Sequence, residues 1–342
     1  QALEECHRSL LAAGKTITVD TVKDAYNGKT EKGVGLLEVF KQHNNQMKML
    51  IGKEFSKATH TKYNATYKHT EAFIKKSYRK DDIELKELDL SFAKQFDYYL
   101  KTDGKCEQNA AMKHIQNLKK IVNGAVADRL LPFNPFAGFK AKWEKVEREC
   151  LTQEELDIIR TKEFSIKRLE QIRDCFVFSC LTGIAYCDLK ELTAANITID
   201  IKGNKWIEYS RTKTNIKATA PLLPLAEEII NKYKDFPPCA VRGRLLPLPT
   251  NQKLNAYLKE IADICGINKK LTSHLGRHTF ATTVMLGNGV SVESVSKMLG
   301  HTKIQTTQIY AKVHQLKIRI ETEKLFGKYK TVDVESQRQT AG

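Results

Sequence analysis

The stretch HLGRHTFAT, residues 274–282, followed by LGH at 299–301 and then by Tyr310, decides how this chain is read. It gathers a guanidinium (Arg277), imidazoles (His274, His301) and a phenol within one short run. Arg277 offers a planar fork of donors that matches the non-bridging oxygens of a phosphate. His274 and His301 can donate further hydrogen bonds or carry a proton near neutral pH. The Tyr310 phenol can attack phosphorus and hold a cleaved strand as an ester. Together these are the groups that a metal-free phosphoryl transfer to tyrosine requires.

Taken singly, each residue has a plainer reading. A tyrosine on a helix is usually a packing or surface residue, and this chain has 12 of them. Lys297, Met298, Leu299 and Gly300 alone would be an ordinary helix end with glycine as its left-handed cap. His274 and His278 stand four apart, as two zinc ligands on one helical face would, but Leu275 occupies the place where the metalloprotease pattern needs glutamate. No metal and no cofactor are therefore expected, and His278 is read as a packing residue that steadies the helix. Only the joint spacing favours chemistry.

That spacing, and the string R-H-T-F-A-T ahead of the single Tyr310, resemble the catalytic domain of the tyrosine recombinases, the site-specific DNA integrases and invertases. The resemblance implies that Tyr310 is the nucleophile and that Arg277, His274 and His301 stabilise charge on the equatorial oxygens. It also implies a hairpin lysine as general acid, here Lys213 in SRTKTNIKATAPLLPL (210–225). The plainer reading of Lys213 is a basic hairpin tip, beside Arg211 and Lys217, that touches phosphates without chemistry. One feature departs from the family. Its usual T-G-x-R-x-x-E/D string reads TGIAYCD at 182–188, so Ala185 stands where a phosphate-gripping arginine belongs, while Asp188 keeps the acidic position. A methyl group cannot replace a guanidinium. Arg211, two residues before Lys213 and so on the same face of an extended strand, is the first candidate replacement, and Arg173 on the preceding helix is the second.

Composition agrees with a DNA partner. Lys+Arg 56 against Asp+Glu 40 gives a net charge of +16, a balance that favours counterion release from phosphate backbones. No apolar run approaches the ~18 residues of a membrane span. The eight cysteines include no C-x-x-C pair, so neither a zinc ribbon nor a thioredoxin motif is spelled out.

Hydrophobic periodicity divides the chain. Residues 1–35 are read as a remnant of an N-terminal region, or a linker to an arm-binding domain that the resemblance places ahead of it, with a short helix at 18–28. Residues 36–131 carry helical stripes: Tyr63, Tyr67, Phe73, Ile74 and Tyr78, then Phe92, Phe96, Tyr99 and Leu100, then Met112, Ile115, Leu118 and Val122. Ser91 is read as the N-cap of the second. Basic residues fill the intervening faces and are the candidate DNA contacts: Lys57, Lys62, Lys68, Lys75, Lys76, Arg79, Lys113, Lys119 and Lys120, with Lys140 and Lys142 beyond. Pro132, Pro135 and Gly138 mark a linker at 132–150. Thr152 and Glu155 then form a capping box that opens a catalytic domain, 151–328, ahead of a polar tail, 329–342. Within it, helices are predicted at 166–181, 225–235, 250–264, 273–287, 291–299 and 304–311, with a hairpin across 197–209. The apolar run Leu316, Ile318, Ile320, Leu325 and Phe326 is expected to dock on a neighbouring protomer or within its own domain.

The expected fold is mainly α with a small antiparallel sheet. By resemblance, a helical core-binding domain and the catalytic domain form a C-shaped clamp on double-stranded DNA. The resemblance further implies a monomer that assembles as a homo-tetramer in a synaptic complex, with accessory DNA-bending proteins, in the bacterial cytoplasm at the nucleoid, acting as the integrase of a mobile element. Runner-up readings are a DNA invertase of the same family, a type IB topoisomerase, and a non-catalytic DNA-binding protein that uses 288–311 as a helix-turn-helix.

Overall fold

The computed structural model describes residues 2–12, 17–26, 33–146, 148–311 and four residues between 322 and 326. The chain forms two compact units, residues 1–146 and 147–342. Two helices, α1 (Ala2–Ala12) and α2 (Val19–Tyr26), open the first unit. The Asn27-Gly28 stop expected for α2 lies outside the described residues.

The rest of this unit is a four-helix bundle: α3 (Leu36–Met49), α4 (Lys57–Tyr78), α5 (Leu90–Thr102) and α6 (Gln108–Ala127). Ser56 caps α4 by accepting from Thr59 N at 3.1 Å. Asp89, rather than Ser91, caps α5 by accepting from Phe92 N at 2.7 Å. The carboxylate two residues earlier reaches a free N–H of the first turn, which leaves Ser91 inside the helix. The core is aromatic: Phe73 meets Phe92, Phe96 and Tyr99 at ring-centroid distances of 5.1, 5.3 and 5.4 Å. Phe136 stacks on Phe92 at 5.9 Å and is fully buried. The expected linker is therefore folded into the bundle in its first half, because its prolines bring Phe136 back onto the core. Gln108 and Asn109 also hold the backbone of Lys142 and Glu144 against the start of α6.

The basic candidates divide by what they already touch. Lys57, Lys68 and Lys75 line the face of α4 opposite its buried stripe of Tyr63, Thr66, Thr70, Phe73 and Ile74. Lys57, Lys62, Lys68, Arg79, Lys140 and Lys142 are exposed. Lys75 pairs with Glu71 and Lys76 with Asp103. Lys113 donates to Gln116, Lys119 is half-buried and donates to the Phe139 carbonyl, and Lys120 lies over the rings of Phe55 and Tyr63.

The second unit opens with the expected capping box: Glu155 N donates to Thr152 Oγ1 at 3.2 Å and Thr152 N to Glu155 Oε2 at 2.8 Å, starting α7 (Gln153–Thr161). Its centre is α8 (Lys167–Thr182), buried on every side from Asp174 to Thr182, as a helix walled by neighbours must be. A single turn, α9 (Tyr186–Leu189), leads to the strands β1 (Ile197–Ile199), β2 (Lys205–Ser210) and β3 (Lys217–Pro221), which form an antiparallel sheet in the order β1-β2-β3. The register pairs Ile197 with Ile207 and Tyr209 with Ala218. The third strand extends the hairpin read from the sequence, because Ala218 and Ala220 bury their small side chains beside β2. Helices α10 (Pro224–Tyr233), α11 (Pro237–Ala240), α12 (Asn251–Ile264), α13 (Ser273–Thr279), α14 (Val292–Met298) and α15 (Gln305–Ala311) complete the unit. The single helix predicted for 273–287 is instead α13, a π-helical turn at Phe280–Met285 and a short 3-10 turn at Leu286–Asn288. No helix among the described residues is long and apolar enough to cross a membrane. Leu316, Ile318 and Ile320 lie outside the described residues, while Leu325 and Phe326 are exposed.

Gly183 closes α8 in the left-handed region at φ 69°, and a β-carbon there would meet the Phe280 ring at 2.3 Å. Gly183→Ala combines left-handed strain with overpacking, together about 2–4 kcal/mol. Urea unfolding should show that loss; an unchanged midpoint would mean that the α8–Phe280 contact relaxes freely.

Candidate active site

The α8 cap, the turn after β2, α13 and the α14–α15 region converge on Arg277. The side chain is buried. It donates from Nη1 to the Gly183 carbonyl at 2.7 Å, and from Nη2 to the Leu299 carbonyl and to His301 Nε2, the latter at 3.3 Å. A guanidinium has no lone pair to offer, so His301 Nε2 is the acceptor. The other nitrogen, Nδ1, then carries the proton and donates to Thr307 Oγ1 at 2.7 Å. Burial, helped by Arg277, Arg211 and Arg148, lowers the His301 pKa to about 4, so the ring is neutral at neutral pH.

Thr272 caps α13 through Leu275 N and so starts the helix one residue before His274. The His274 and His278 rings meet edge to face with centroids 4.2 Å apart. Burial lowers the His274 pKa, with Arg148, Arg277, Lys213 and Arg211 acting in the same direction. Tyr310, on α15, is 4% exposed, and its hydroxyl lies 2.9 Å from His278 Nδ1. Burial, then His274 and the nearby arginines, pushes His278 down to about 3. The neutral ring is placed to accept the phenolic hydrogen bond. His278, read from the sequence as packing, is thus the hydrogen-bond partner of the tyrosine. Adjacency to Arg277 alone gave no sign of that, since the contact spans α13 and α15.

Arg211 turns inward, but not by the alternation expected. Strand β2 ends at Ser210, and Arg211 opens a turn in which its N–H donates to the Ile216 carbonyl at 2.9 Å. Arg211 Nη1 donates to the Gly300 carbonyl at 3.0 Å, and Nε lies 3.9 Å from Asp188 Oδ2. Both Arg211 Nε and Asp188 Oδ2 are buried with no hydrogen-bond partner among the described residues. Asp188 Oδ1 accepts from Thr212 N at 2.8 Å, so this carboxylate holds the turn that carries Arg211. Gly300, at φ 58°, leaves space for Arg211, whose Cδ would stand 2.6 Å from a β-carbon there. Lys213 is exposed in the same turn and its charge reaches His274. Ala185 is half-buried at the start of α9 and brings no charge.

Arg173 is not brought to this cluster. Its guanidinium is paired with Asp174 at 2.8 Å and Glu170 at 3.7 Å and donates to the Lys162 carbonyl. Ten residues of α8 separate it from Gly183, roughly 15 Å along the axis. These pairings hold Arg173 away from the place left by Ala185.

One cation was missed. Arg148 belongs to the expected linker, yet it acts on Tyr310, His274, His278 and His301. The following residues hold it there: Leu151 N donates to Thr279 Oγ1 at 3.0 Å, Thr283 Oγ1 donates to the Leu151 carbonyl, and Lys269 Nζ donates to the Cys150 carbonyl at 3.0 Å. Burial raises the Tyr310 pKa, and Arg277, Arg148 and Arg211 oppose that rise.

A fixed, neutral set of imidazoles, a buried phenol and three guanidinium groups is a site for a tetrahedral or trigonal-bipyramidal phosphate. The sequence signature of the phage integrase SAM-like domain matches residues 35–143, and that of the phage integrase family matches residues 172–317. The chain belongs to the phage integrase family of tyrosine recombinases.

It is 29% identical over 180 residues to the integrase of Escherichia phage P2, a match covering 52% of this chain and 47% of that protein. It is 26% identical over 217 residues to the tyrosine recombinase XerC of Myxococcus xanthus, covering 59% and 70%. The match thus spans about half the length of the phage protein. In fold it is similar to lambda integrase (75-356) solved as a dimer on a COC' core site, with TM-score 0.62 at 18% identity, covering 79% of this chain and 94% of that one. It is also similar to the Tn1549 transposon integrase solved with transposon right end DNA, with TM-score 0.63 at 17% identity, covering 85% and 99%.

Loss of Arg148 removes a cation that favours the phenolate. The rising limb of the DNA-cleavage rate against pH should therefore move to higher pH in Arg148→Gln. An unshifted profile would show that Arg148 has no hold on the tyrosine.

Proposed function

We propose that this protein is a site-specific DNA recombinase that integrates and excises a mobile element. The observation that carries the reading is the Tyr310 hydroxyl, held 2.9 Å from neutral His278 within the cluster that also contains Arg277 and His301. Tyr310 Oη bonds to the scissile phosphorus as its proton passes to His278, whose imidazolium the bound phosphate anion stabilises, and the 5′ oxygen departs with a proton from Lys213. The resulting 3′-phosphotyrosyl ester keeps the bond energy, so a 5′ hydroxyl from the partner duplex can displace the tyrosine and rejoin the strands without ATP. Arg277, His274 and His301 meet the charge on the equatorial oxygens by position rather than by movement.

Arg211 is the proposed substitute for the guanidinium missing at Ala185. Its buried, unpartnered Nε supports this role, because an N–H in such a place gains most from an incoming phosphate oxygen. Asp188 is a positioning residue that keeps the turn in place. The exposed lysines of the helical bundle are the proposed backbone contacts on double-stranded core sites, first among them Lys57, Lys62, Lys68, Lys140 and Lys142, whose side chains make no ion pair or hydrogen bond among the described residues. Assembly as a homo-tetramer with accessory DNA-bending proteins, in the bacterial cytoplasm, completes the proposal. Integrases from a phage and a transposon among its relatives support the mobile-element reading over an invertase.

Tyr310→Phe removes one oxygen atom, so it should bind duplex DNA normally and form no denaturant-resistant adduct on a nicked suicide substrate. Undiminished adduct would move the nucleophile elsewhere. Arg211→Ala should cut cleavage by roughly 100- to 1000-fold, the scale of losing one oxyanion-hole donor, with little loss of binding. Ala185→Arg in that background should restore part of the rate. Normal cleavage by Arg211→Ala would mean that Arg211 is no substitute.

A further inference from the structure

Far along the sequence from the catalytic groups, α4, the α5–α6 connection and α6 bring His69, Cys106 and His114 together. One ring nitrogen from each histidine and the Cys106 sulfur lie within 4.8 Å of one another. All three side chains are half-buried, so the cluster is covered yet open to solvent on one side. The two rings meet edge to face with centroids 4.8 Å apart.

The surroundings set one of these groups up as a ligand. Thr66 donates its hydroxyl proton back to the Lys62 carbonyl at 3.1 Å, as a helical threonine commonly does. Thr66 Oγ1 therefore acts as acceptor toward His114 Nδ1 at 2.9 Å and Asn117 Nδ2 at 3.0 Å. This fixes His114 as the Nδ1–H tautomer and leaves the Nε2 lone pair available. Metal-bound histidines are oriented by such a second hydrogen bond from the far ring nitrogen. His69 makes no side-chain hydrogen bond among the described residues, and Cys106 makes only a weak one, to the Gly104 carbonyl at 3.5 Å. No hydrogen bond joins the three to each other, so the cluster is not held together as a polar network of its own.

We propose that His69, Cys106 and His114 bind a thiophilic divalent cation, zinc by ligand chemistry, with water in the fourth position. Two imidazoles and a thiolate are borderline-soft ligands of the kind zinc takes. Around a tetrahedral zinc the ligand atoms stand about 3.5 Å apart, given bonds of about 2.0–2.3 Å, so the side chains draw in by roughly 1 Å on binding. Burial already holds both histidines below their ordinary range, His114 at about 4, so neither ring has a proton to lose at neutral pH. Cys106 is a thiol, raised by burial; as the metal–sulfur bond forms, its proton passes to solvent. The bound ion would tie α4 to the connection that leads into α6 and make the stability of the helical bundle depend on zinc. No sequence pattern announces this site, because its ligands come from three separate elements.

The test uses the full chain, stripped of metal and kept reduced without thiols. On titration with Co2+, one equivalent should give tetrahedral visible bands and a sulfur-to-cobalt charge-transfer band in the near ultraviolet. Zinc should displace the cobalt and raise the melting temperature. The charge-transfer band and the zinc-dependent shift should vanish in Cys106→Ser and in His69→Ala, and should persist in Cys187→Ser. Absence of the band in the unaltered chain, its survival in Cys106→Ser, or its loss in Cys187→Ser would each overturn the proposal.

Discussion

A buried guanidinium is costly unless its donors are met, and this site is organised by how Arg277 meets that demand. One carbonyl comes from Gly183 at the end of α8 and another from Leu299 at the end of α14. Both are helix C-terminal carbonyls, which lack intrahelical partners and carry partial negative charge. The arginine thus satisfies two helix ends while the helix ends fix the arginine. His301 follows two residues after Leu299, and its contact with Arg277 sets its tautomer. The glycines of the two motifs are explained in the same way. Gly183 admits Phe280 beside the cap, and Gly300 admits the Arg211 side chain across it.

Electrostatics around this anchor are one-sided. Burial keeps His274, His278 and His301 neutral, and Arg148 and Arg277 act on all three in the same direction, joined by Arg211 at His274 and His301 and by Lys213 at His274. Asp188 is buried against Arg211 but lacks a full complement of hydrogen bonds, as does Arg211 Nε. Concentrated positive charge with unmet donors favours an anion of more than one negative oxygen, and a phosphodiester in the transition state of transfer is such an anion. The buried phenol with a raised pKa fits the same logic. Its proton leaves readily only when cations are close, and in the proposed reaction the same cations would draw in the phosphate.

Much of this was legible in the sequence, and the exceptions have physical causes. The stripes of α4, α5 and α6 reported their buried faces directly, and the Thr152 capping box marked the start of α7, since both signals are local. The run from His274 to Tyr310 pointed to phosphoryl transfer because four residues of three reactive types, His274, Arg277, His301 and Tyr310, fell within one stretch. Strand alternation points to Arg211, but β2 ends at Ser210, and the side chain reaches the site because a turn begins there. Arg173 looked equally able to serve, but Asp174 and Glu170 claim it, and no local pattern reveals a competing carboxylate. Arg148 lies in a stretch that reads as linker; its position depends on Leu151 being tied to Thr279 and Thr283 more than a hundred residues away in sequence. His278 is the sharpest case, because its role depends on the packing of α13 against α15.

The central claim is that the phenol of Tyr310 becomes the covalent anchor of a cleaved strand without metal assistance. Trapping the protein on a suicide duplex in excess chelator, digesting protein and DNA, and mapping the modified peptide by mass spectrometry tests it most directly. The expected result is a nucleotide joined through its 3′ phosphate to Tyr310. A nucleotide on any other side chain, or no covalent product until divalent metal is restored, would contradict the account.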